Sequence, residues 1–109
     1  MAYNEKLAER IRQALAGRKA LTEKKMFGGI TFLLHGNMCC GVVNNDLVLR
    51  LGPAQGEKAL KRPHVRECDF TGRPLKGMVM VASGGYKTDG ALRKWVLQAA
   101  DFALSLPAK

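Results

Sequence analysis

Acidic residues are in short supply in this 109-residue chain: nine, against eighteen lysines and arginines, for a formal charge of +9. No apolar run approaches the ~18 residues a membrane-spanning helix needs, so the sequence excludes one. The opening "MAYNEKLAERIRQALAGRK" carries a charge every few residues, which leaves no room for the apolar core of a secretory signal. The expected location is therefore the cytoplasm. There are three cysteines, an odd number unsuited to a disulfide framework. Two of them, Cys39 and Cys40, are neighbours, and in an extended strand neighbouring side chains point to opposite faces. That geometry disfavours both a bridge between them and their joint binding of one metal ion. With His35 and His64 as the only imidazoles, no metal site and no cofactor are expected. Nor is there a phosphate-binding loop of either glycine-rich pattern, a Ser-His-Asp arrangement or a close pair of carboxylates.

What is present describes a soluble globular domain. Apolar residues make up 47% and charged residues 25%, and the length suits one domain over residues 1–109. A core can form at this size without metals or disulfides. The basic excess favours encounters with polyanions, either nucleic acid or an acidic protein.

Helical spacing of Leu7, Ile11, Ala14 and Leu15 predicts a helix over 4–16, capped by Asn4. Three strands are expected next: about 24–34 with Gly28-Gly29 as a bend inside it, then 37–43, then 47–51. "HGN" and "NND" supply the turns between them. Leu47, Leu49 and Leu51 alternate with Val48 and Arg50, the pattern of a sheet with helices on one side. "GPAQGEKALKRP" reads as a short helix opened by Pro53 and ended by Pro63. Strands near 65–70 and 77–82 flank the loop "TGRPLK". A final helix, capped by Thr88 or Asp89, carries the apolar stripe from Leu92 through Trp95 to Leu106. The expected fold is a two-layer α+β domain: an antiparallel sheet of about five strands with helices on one face, in the order α-β-β-β-α-β-β-α.

Basic residues cluster at Arg18, Lys19, Lys24 and Lys25, at Lys58, Lys61, Arg62 and Arg66, and at Arg73 and Lys76. No helix-turn-helix, zinc-finger or aromatic RNA-binding signature accompanies them. "SGGYKTDG" at 83–90 sets glycines and Lys87 before a helix, a composition that suits an anion site but equally an ordinary connection.

Three segments, "EKKMFGGITFLLHGNMCCGV", "LVLRLGP" and "DFTGRPLKGMVMV", closely resemble the N-terminal domain of the TfoX/Sxy family. The first and last helices resemble it too, so the likeness spans nearly the whole chain. "KMFGG" and "DFTGRPLKG" are its most specific parts. The resemblance implies an α+β unit with an antiparallel sheet. Full-length members are bacterial regulators of natural competence, thought to act with the cAMP receptor protein at certain promoters, and they carry a second, helical domain beyond this one. The family supplies no catalytic residues, and most matched positions have plain structural roles. Arg73 and Lys76, in a loop, do not. The expectation is thus a non-catalytic regulatory module working through protein contacts, with the transcription machinery as the partner in view. Lys24, Lys25, Arg73 and Lys76 are its candidate contact residues. A homodimer is a further expectation. Direct nucleic-acid binding is the alternative, and a thiol-dependent enzyme the more distant one.

Overall fold

The computed structural model describes residues 3–18, 20–26, 29–68 and 77–107. Helix α1 (Glu5–Ala14) starts where the sequence signals it: the side-chain oxygen of Asn4 accepts the Leu7 N–H at 3.1 Å, satisfying one orphan donor of the first turn. Leu7, Ala8 and Ile11 form its buried face, and Leu15 continues it past the end. The Asn4 N–H also donates to the Asn44 carbonyl at 2.7 Å, tying the helix start to a sheet turn.

Strand β1 (Leu21–Met26) and strand β2 (Gly29–Leu34) follow, paired antiparallel from Leu21 opposite Leu34 to Met26 opposite Gly29. The expected single strand over 24–34 is thus a hairpin, and the sheet has six strands among the described residues. The glycine pair marks a reversal, not a bend. Strand β1 also begins earlier than its sequence suggests, because "LTEKKM" has no alternation of apolar and polar residues. An outermost strand buries little, and lysine there discourages pairing with another chain.

Strands β3 (Asn37–Val43), β4 (Asp46–Arg50), β5 (Val65–Glu67) and β6 (Met78–Val81) complete the sheet in the order β1-β2-β3-β4-β6-β5, antiparallel throughout. Between β2 and β3 the register shifts: Phe32 stands opposite Cys40 but Leu33 opposite Met38, which leaves Cys39 as an extra residue. This β-bulge overturns the expectation that the two cysteines face opposite ways. Both join the same core cluster with 0% exposure, because an inserted residue breaks the two-residue alternation.

Helix α2 (Pro53–Ala59) and helix α3 (Asp89–Ser105) share the main core with α1. Leu47, Leu49 and Leu51 point into it as their alternation foretold, while Val48 joins a smaller cluster on the opposite face with Cys68 and Met80. Among the described residues that second cluster draws on no helix, so the helices lie on one face of the sheet. Trp95 pins α3: it is 3% exposed, and its indole N–H donates to the Gly85 carbonyl at 3.1 Å.

One junction explains a glycine in the family-like segment. The Gly77 carbonyl accepts from the N–H groups of both Leu51 (2.8 Å) and Gly52 (3.1 Å), where α2 meets the start of β6. Gly77 sits at φ +85°, and a Cβ there would lie 2.9 Å from the Gly52 carbonyl carbon. Only glycine suits both the turn and the approach.

Candidate interaction surface

Of the four cations singled out from the sequence, the structure describes two, Lys24 and Lys25, and they point to opposite faces of the sheet. Lys24 and Lys25 are exposed on β1, the outermost strand, where Lys24 stands opposite Thr31 and Lys25 opposite Ile30. Residues directly opposite share a face. Ile30 belongs to the helix-side core, so Lys25 points toward that side and Lys24 toward the other. Arg73 and Lys76 lie outside the described residues, as does Lys19.

Several other basic residues are occupied within the fold. Arg12 grips Glu23 with two nitrogens, each at 2.9 Å, and reaches Glu9 at 3.0 Å, joining α1 to β1. This pairing holds the Arg12 guanidinium more firmly charged and the Glu9 carboxyl below its ordinary range, the Arg12 hydrogen bond being the main cause for Glu9. Arg10 pairs with Asp89 at 3.1 Å and donates to the Tyr86 carbonyl at 3.0 Å, while Arg66 pairs with Asp46 at 2.6 Å. These contacts fasten elements together and leave those charges partly neutralised.

Lys58, Lys61, Arg62 and Lys94 make no salt bridge among the described residues. Arg62, just past α2, lies 4.4 Å from the centre of the Trp95 ring. Arg10, Arg12 and Arg50 also sit over rings, but at 5.6–6.0 Å. Beside the stacked pair runs an open groove of about 390 Å³, lined by Arg62, Thr88, Gly90, Ala91, Lys94, Trp95 and Gln98. None of these lining residues is acidic. Gln98 donates to Gln55 at 3.1 Å, linking α3 to α2 across the exposed side. The sequence placed Arg62 in a basic cluster and Trp95 in the core, yet nothing in their separation signalled that one stacks on the other.

The thiols are poorly disposed for chemistry. Cys39, Cys40 and Cys68 are fully buried and form no disulfide among the described residues, whereas His35 and His64 are exposed in turns. Among the described residues no three His, Cys, Asp or Glu side chains gather as a metal site. A hydrogen bond with Cys39, reinforced by burial, pushes the Cys40 thiol well above its usual pKa, the opposite of what a nucleophile needs. The sign of the resulting pH dependence is fixed. A raised folded pKa contributes stability that is complete below the unfolded thiol value of about 8.5 and is lost as pH rises through the folded one. Urea unfolding between about pH 7 and 10 should therefore show stability falling on the alkaline side, with a shallower fall in Cys40→Ala. Equal slopes in the two proteins would contradict a raised Cys40 pKa. In the same folded protein, all three thiols should resist a thiol reagent at neutral pH.

Among the described residues no helix is long and apolar enough to cross a membrane. No curated protein and no solved structure matches the chain. The family model for the TfoX N-terminal domain matches residues 13–103, a span from the end of α1 to within α3 that contains the whole sheet and the groove. By that match over most of its length, the chain belongs to the TfoX N-terminal domain family.

Proposed function

We propose that the chain is a non-catalytic cytoplasmic module of transcriptional regulation, competence-regulator-like, that works by contacting another protein. Family membership over residues 13–103 is the observation that carries this reading. Two features support it. Lys58, Lys61, Arg62 and Lys94, which make no salt bridge among the described residues, are exposed on α2, α3 and the turn after α2, available to a partner. The thiols are buried with the Cys40 pKa raised, a setting that suits packing better than catalysis.

The test is affinity capture with the tagged chain from cell lysate treated exhaustively with nuclease, followed by mass spectrometry. A reproducible set of proteins that includes transcription components, retained after nuclease treatment, is the expected result. Loss of every captured protein on nuclease treatment would favour direct nucleic-acid binding instead, as would tight, steeply salt-dependent binding of duplex DNA by the purified chain.

A further inference from the structure

We infer that the groove between α3 and the turn after α2, with Arg62 over the Trp95 ring and Lys94 on its wall, is a docking site for a carboxylate-rich segment of a protein partner. The inference names the surface for the proposed protein-contacting role and rests on that reading. With its Cζ 4.4 Å from the centre of the Trp95 ring, Arg62 is held over the indole, which pre-orders a long side chain that would otherwise lose much freedom on binding. A cation–π contact uses no N–H donor in a salt bridge, so the guanidinium fork remains able to match a carboxylate bidentately. Lys94 adds a second charge on the same groove, Lys58 and Lys61 lie close by in sequence on the α2 side, and no lining residue is acidic. Arg10 and Arg12, by contrast, already hold carboxylates of this chain.

Charge and shape together favour a carboxylate segment over nucleic acid. With Trp95 only 3% exposed beneath Arg62, the groove offers no bare aromatic face on which a base could stack. Two cations on its lining are too few to neutralise the run of phosphates a duplex presents, but they suit one or two carboxylates.

Trp95, the sole tryptophan, is a built-in reporter. The full chain is titrated with an acetylated, amidated hexaglutamate peptide while Trp95 fluorescence is followed, with a mixed-sequence DNA duplex as the parallel probe. A saturable change with the peptide is expected, weakened about tenfold in Arg62→Gln and measurably in Lys94→Gln, with Arg93→Gln as the unaffected control. Lys94 is exposed and outside the core, so Lys94→Gln carries the test if Arg62→Gln is found unfolded by circular dichroism. Absence of peptide binding, equal affinity in the groove variants and wild type, or tighter duplex binding that the same substitutions abolish would each overturn the assignment. If the groove variants bind neither better nor worse while lysate capture still retains proteins, only the location falls. If capture itself fails, the protein-contacting role falls with it.

Discussion

Replacing Gly29 with alanine is expected to destabilise the fold by at least about 3 kcal/mol, a large share of what a domain of this size possesses. A Cβ at this position would lie 1.9 Å from the Val42 carbonyl oxygen and 3.0 Å from its carbon. Backbone of a central strand cannot swing aside as a side-chain end can, so β2 and β3 would have to part where they pair. The loss should appear as a melting temperature lower by roughly 12 °C or more. Gly90→Ala is the matched control, since nothing lies within 4 Å of a Cβ there. A Gly29→Ala protein that melts with the wild type would mean that the β2–β3 approach is looser than described.

Phe32→Ala should cost a similar amount, about 3–5 kcal/mol, through lost burial and the cavity left behind. Phe32 is fully buried, stands opposite Glu23 on one side and Cys40 on the other, and lies beneath the Arg12 guanidinium at 6.0 Å from its ring centre. Its removal empties the space beside the bulge, so a second effect is expected: the Cys39 and Cys40 thiols, expected to resist a reagent in the parent, should become reactive under native conditions. Denaturant unfolding measures the first effect and thiol titration the second. A loss under about 1 kcal/mol would place Phe32 outside the packed centre.

Much of this architecture was legible in residue patterns, and the exceptions have physical causes. Helices α1 and α3 announced themselves by caps and apolar stripes: Asn4 and Thr88 each accept a first-turn N–H, at 3.1 Å in both. Strand β3 agrees with its expected limits because turn residues bound it on both sides. Strand β1 hid for the opposite reason. It lies at the edge with Thr22, Glu23, Lys24 and Lys25 all exposed, so no burial pattern was written into it. The bulge at Cys39 was invisible because register is a property of two strands, and no single strand's alternation reveals an extra residue.

Charge clusters along a sequence need not be clusters in space. Lys24 and Lys25 diverge across the sheet, and their positions are explained by protection of its edge. Arg62 and Trp95 come from separate segments brought together by the packing of α2 and α3 beside the same sheet, a relation that neither segment encodes alone. Arg73 and Lys76 fall outside the described residues, so the family-like loop contributes only Gly77 to the structural account.

The central claim, that partner contact runs through the groove between α3 and the turn after α2, is most directly tested by mapping amide and indole NMR shifts of the isotopically labelled chain during the hexaglutamate titration. At 11.9 kDa the protein is well suited to this measurement. The account predicts shifts concentrated at 58–62 and 88–98, with the Trp95 indole N–H among the most displaced. Shifts confined to β1 around Lys24 and Lys25, or to the segment holding Arg73 and Lys76, with the groove silent, would contradict it.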